Sequence, residues 1–179
     1  MAIAMDPTQR FGEWVSGSHA IGGPEQRKAF LAASIQGLGL LDCQLIQNEA
    51  YCWDQNQNGE QSLMDLNNHL TLSYLWVLGS YEWLRTLDQG VRDKEFLHFG
   101  GLLAARIRET KEAFERLRIP LAKLEAPKRN PKDNPIAYPA RHPENGVAWL
   151  ITDTDAVTRL DLSNSALGLL GELRASRSA

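Results

Sequence analysis

Three stretches of the chain carry side chains whose types and spacing could do chemistry. The first is "DQNQNGEQSLMD", Asp54 to Asp65. Oxygen-bearing residues stand at its positions 1, 3 and 5 (Asp54, Asn56, Asn58), a glycine at 6 and a carboxylate at 12 (Asp65). That spacing is close to a helix-flanked calcium loop. Calcium affinity rises with the number of carboxylates, and this loop offers about two. Its last position is Asp65, shorter in reach than glutamate, and Gln61 stands where such loops place an apolar residue. Turn chemistry alone selects Asp, Asn and Gly between two helices. We therefore read the stretch as a corner with no metal; Asp54, Asn56, Asn58 and Asp65 would be the ligands of any ion that bound. The second stretch sets His69 four residues after Asp65, an i,i+4 pair able to hold one metal ion. A di-metal bundle needs a second such pair, and the sequence offers none. Glu82 and Arg85 follow on the same helix and are expected as a partly buried ion pair fixing its register.

The third stretch is "RDKEFLH", Arg92 to His98. A histidine can serve as general acid or base, and an arginine can hold a scissile phosphate. The segment resembles the arginine–histidine signature of HEPN proteins, small helical bundles that include ribonucleases and toxins. The resemblance covers seven residues and implies a metal-independent nuclease in which Arg92 and His98 meet at a dimer cleft. The expected helical wheel places His98 with Ala105, Glu109 and Glu112 on a polar side. Neither a GxSxG elbow nor a GxxxxGK[ST] phosphate loop occurs.

These residues need a scaffold. A chain of 179 residues, 43% hydrophobic and 23% charged, fits one domain of ordinary globular composition. Cys43 and Cys52 would lie about 13 Å apart on one helix, too far for a disulfide. Two thiols without a Cys/His cluster point to a reducing compartment and no structural zinc. The N-terminus lacks a basic region and a long apolar run, so no signal peptide is expected, and cytoplasm is the expected location. The apolar run His69–Tyr81 is too short for a membrane span and reads as a core helix. Net charge is −3, spread as −6 over residues 1–84, +5 over 85–141 and −2 over 142–179. The basic middle either faces the acidic segments or forms a surface for phosphate or nucleic acid.

Periodicity predicts a mainly α fold: an antiparallel three-helix bundle, a Pro-rich strap, a small β-hairpin and a short C-terminal helix. Residues 1–23 are expected as a loosely ordered tail, pinned by Phe11 and Trp14. Residues 24–119 form the bundle, with helices over 24–53, 61–88 and 93–118, the third on the 4-3 stripe Phe96, Gly100, Leu103, Ile107, Thr110, Phe114 and Leu117. Gly37 and Gly39 mark a kink or the close approach of another helix. Gly90 is the expected glycine cap of the second helix, and Ile119-Pro120 ends the third. Six of the eight prolines fall within 120–143, excluding a helix or a central strand there. Residues 120–179 then supply the strap, a hairpin of "VAWLIT" and "AVTRLDL" around "DTD", and a helix capped by Ser163.

The second helix shows two apolar stripes, one of Leu63, Leu66, Leu70, Val77, Tyr81 and Leu84 and one of Leu72, Trp76, Gly79 and Trp83, which favours self-association. The expected function is a non-enzymatic cytoplasmic protein acting through protein–protein contacts. It would be a homodimer with a further, unidentified protein partner, no cofactor and no membrane. The alternative is the HEPN-like nuclease using Arg92 and His98 on RNA.

Overall fold

The computed structural model describes residues 6–21, 26–53, 60–95 and 99–178. Among them the chain forms five helices and one small antiparallel sheet. The helices are α1 (Pro7–Ile21), α2 (Gln26–Cys52), α3 (Glu60–Arg92), α4 (Gly101–Ala122) and α5 (Arg159–Ser178). The strands are β1 (Tyr138–His142), β2 (Gly146–Leu150) and β3 (Ala156–Thr158), in that order across the sheet. Each helix packs against the next along the chain from α1 to α4, and α5 closes the ring by touching both α4 and α1. All five helices and the sheet contribute to one contiguous apolar core.

Residues 7–21, expected as part of a loose tail, are helical. The reason is local. Asp6 Oδ2 accepts from the backbone N–H of Thr8 and Gln9 at 3.0 and 3.1 Å, and Pro7 takes the first helical position, where its missing N–H costs nothing. Trp14 is fully buried and meets Trp76 edge-on, ring centroids 6.4 Å apart. Gly39 is what admits it: a Cβ there would fall 2.5 Å from Trp14 Cβ. Gly37 is open, so the helix approach belongs to Gly39 alone.

The helix expected over 61–88 runs to Arg92, and Gly90 lies within it. Its C-terminal turn closes with Glu95 N–H on Gly90 O (2.8 Å) and Lys94 N–H on Val91 O (3.2 Å). The left-handed residue of that cap is Lys94, φ 60°, where glycine was expected. The next helix starts at Gly101 rather than 93 and continues through Pro120 to Ala122. Proline removes one hydrogen bond in the last turn, and Leu124 (φ 55°) then breaks the helix.

The Pro-rich segment is docked. Arg116 grips Asp133 through two bonds of 2.7 and 2.9 Å, Asn134 N–H bonds Ile151 O at 2.7 Å, and residues 138–142 join the sheet as β1. Pro139 is tolerated because β1 is an edge strand. β2 and β3 pair as Ala148↔Thr158, Trp149↔Val157 and Leu150↔Ala156. The "RLDL" that ended the expected strand is helix instead. Thr158 starts α5 by accepting Asp161 N–H at 3.0 Å, so Thr158 replaces Ser163 as its cap.

Candidate functional site

The chemistry-bearing side chains converge on α2, and they point inward. Asp42 is completely buried. Its Oδ2 accepts from Arg10 Nε of α1 at 2.7 Å and Trp14 Nε1 at 3.1 Å; its Oδ1 accepts from Arg159 Nη1 of α5 at 2.6 Å. Arg10 spends its other donors on Asn164 Oδ1 (3.0 Å) and Ser163 Oγ (2.5 Å). The Arg159 guanidinium lies over the Trp76 ring, 5.8 Å from its centroid.

Two turns further along α2, Glu49 repeats the pattern. Its Oε1 accepts from Trp53 Nε1 at 2.7 Å and from the Val147 backbone N–H at 2.8 Å. Its Oε2 stands 3.1 Å from His69 Nε2 and 3.9 Å from Arg159 Nη2. Burial pushes the Glu49 carboxyl up. The His69 and Trp53 hydrogen bonds, with the His69 and Arg159 charges, outweigh that and hold it below the ordinary glutamate value. Gly146 completes the cradle: at φ +70° it lays the hairpin turn against Glu49, where any Cβ would collide with the carboxylate.

This interior set balances two buried arginines with two carboxylates. Such a network can hold elements in register; no group in it stands ready to attack a substrate. The thiols agree. Burial, then the charges of Glu49 and Asp65, push Cys52 up, and burial with Asp42 pushes Cys43 up against Arg10 and Arg159. Both stay protonated near neutral pH and are poor nucleophiles.

The outer face of the same two helices is different. A groove of about 340 Å³ runs between α2 and α3, walled by Gln44, Asn48, Tyr51, Asn68 and Leu72, with the nearly buried His69 also lining it. From Ala29 to Asn48 every described exposed residue of α2 is uncharged, Phe30, Gly37, Leu40 and Gln44 among them. The same holds on α3 from Leu63 to Leu75. Phe30 is 68% exposed and Leu75 50%.

The residues singled out by sequence are dispersed. Asp54, Asn56, Asn58 and His98 lie outside the described residues. Asp65 lines the groove. His69, expected to work beside Asp65, turns its Nε2 to Glu49, twenty positions away on α2. Arg92 ends α3 instead of opening the next helix, its Nη2 3.6 Å from Asp88 Oδ2 and 3.3 Å from Gln89 Oε1. Glu82 and Arg85 do pair, at 2.8 Å, but both are half exposed, so the pair is a surface one. Among the described residues no group of three or more His, Cys, Asp or Glu side chains could hold a metal ion. The Asp42 and Glu49 networks escaped the sequence because their partners are 32, 98 and 117 positions away. The one local signal was two acids inside a helical stretch, Ala29–Cys52, that is otherwise uncharged.

Compared with known protein families, curated proteins and solved structures, the chain matches none.

Proposed function

We propose that this is a non-enzymatic, cytoplasmic protein that acts through protein–protein contacts, with the α2–α3 face as its contact surface and a second copy of itself as the first partner. In this reading α2, α3 and α4 form an antiparallel three-helix unit, and the Pro-rich strap, sheet and α5 pack upon it. The observation that carries the reading is the outer face of α2 and α3, where every described exposed residue from Ala29 to Asn48 and from Leu63 to Leu75 is uncharged and the half-buried Asp65 is the one acid in the groove. Solvated helices carry Lys, Glu and Arg, and contiguous apolar patches on monomers are small. Here Phe30, Leu40, Leu72 and Leu75 are exposed among amides and small residues. A face whose exposed residues are uncharged meets its own copy across a two-fold axis with little like-charge repulsion, and amides both donate and accept, so they are self-complementary. The free thiols Cys43 and Cys52 fit a reducing compartment.

Sedimentation equilibrium at micromolar concentration tests it. We expect twice the single-chain mass of 20.0 kDa, falling to 20.0 kDa in a Leu40→Arg, Leu72→Arg double variant. A wild-type species of 20.0 kDa overturns the homodimer. A lipid surface is the competing occupant, because Ala29–Glu49 is long and apolar enough to cross a membrane by length and composition. Co-sedimentation with neutral phosphatidylcholine vesicles, lost in the same variant, would replace the protein partner with lipid.

A further inference from the structure

We propose that Arg92, Arg108 and Lys111, gathered by the buried carboxylate of Asp88, form a binding site for a phosphate-type oxyanion on the α3–α4 surface. Asp88 is 3% exposed and draws three cations. Lys111 Nζ donates to Asp88 Oδ2 at 2.9 Å. The two guanidinium groups stand further off: Arg92 Nη2 at 3.6 Å from Oδ2 and Arg108 Nε at 3.9 Å from Oδ1. One carboxylate is thus satisfied by the lysine and holds both arginines by charge alone. Each arginine side chain is more than half exposed. Arg92 makes two long bonds, to Asp88 O at 3.4 Å and Gln89 Oε1 at 3.3 Å. Arg108 makes no hydrogen bond among the described residues, so all its donors are available.

The neighbouring acids have partners of their own. Glu112 is engaged by Arg129, Glu109 by Arg106, and Asp93 accepts from Gln89 Nε2 at 3.0 Å. Glu115 lies 3.9 Å from Lys111 Nζ. Counting Arg92, Arg108, Lys111 and Arg129 against Asp88, Asp93, Glu112 and Glu115 leaves the wider patch neutral, with three of its cations crowded on the single carboxylate of Asp88. That crowding gathers like charges around one carboxylate, and a ligand with two or more anionic oxygens relieves their repulsion. Planar guanidinium forks suit a tetrahedral oxyanion, which they bind through paired N–H···O bonds. Asp88 acts as a positioning residue that never touches the ligand.

The probe is inorganic phosphate, titrated at constant ionic strength against chloride, with the arginine Nε–Hε resonances observed by NMR. We expect saturable shifts at Arg92 and Arg108, with the exposed, carboxylate-paired Arg85 unmoved. Arg108→Gln should weaken binding at least tenfold and leave the circular dichroism spectrum unchanged; both sites are exposed, so folding is not at stake. Equal, non-saturating shifts at all exposed arginines overturn the site. A parallel arm uses a short single-stranded RNA. Binding with the same Arg92 and Arg108 dependence, alongside phosphate binding, supports the site and names a nucleic-acid backbone as its source of phosphate. RNA binding without phosphate binding overturns it in favour of an extended surface.

Discussion

α2 and α4 are built as opposites. From Ala29 onward the charges of α2, Asp42 and Glu49, face the protein interior, and its described outer residues are apolar, small or amide. α4 buries Ile107, Thr110, Phe114 and Leu117 and carries its charges on the other side, where Arg108, Lys111 and Arg116 reach the buried carboxylates of Asp88 and Asp133 and Glu112 meets Arg129 at the surface. The difference separates two uses of charge. On α4 most pairs are in contact with water, where each is worth about 0–1 kcal/mol. On α2 the carboxylates were taken out of water at a cost, and they repay it only while every partner is in place. The outer face of α2, freed of charge, is left for contact.

That contrast can be broken by single changes. The largest effect belongs to Asp42→Ala, which strands Arg10 and Arg159 in the core. Urea denaturation should show a loss of about 3–5 kcal/mol. A loss below about 1 kcal/mol would mean that water reaches the two arginines. Gly146→Ala comes next. It forces a side chain into the left-handed region and into the Glu49 carboxylate, and should cost about 2 kcal/mol or more in the same assay.

Acid should act through Glu49. Its folded carboxyl is held below the ordinary value, so the stability it lends is complete above the unfolded value of about 4.3. That stability is lost as pH falls from there through the lower folded value. Thermal unfolding followed from pH 7 downward should therefore lose less in Glu49→Gln than in wild type over that window. Equal slopes would show that Glu49 is not the group being titrated. The smallest effect is expected on the surface. Glu82→Ala breaks an exposed pair and should change stability by less than about 1 kcal/mol; a larger cost would show that the pair is sheltered, for instance by a partner.

Much of the scaffold was legible because it repeats. Apolar spacing located α2 and α3 within a few residues, and the buried stripe Ile107, Thr110, Phe114, Leu117 of α4 was read from its 4-3 rhythm. "DTD" marked the turn between β2 and β3. The misses were of two kinds. Some were caps decided by one side chain: Asp6-Pro7 opening α1, Lys94 closing α3, Thr158 opening α5. A glycine-containing helix such as α1 looks weak until Gly17 is seen against Leu170, where a Cβ would sit 2.5 Å from Leu170 Cβ. The others were long-range. Leu63 and Leu72 belong to the two apolar stripes expected on α3 and both are exposed; which flank of that helix is covered depends on where the other helices return. The interior site was illegible for the same reason: Asp42 has no helix-neighbour partner to betray it.

The Asp42–Arg159 bond also has a consequence in time. Its two ends are 117 positions apart. During synthesis at about 5–20 residues per second, the carboxylate waits on the order of ten seconds for its second arginine. Until then α2 carries a charge that cannot be packed dry, and α1, α2 and α3 cannot close around Trp14 and Trp76 in their final form. The nascent chain therefore exposes apolar helix until α5 emerges, and commitment to the native core is deferred to that helix.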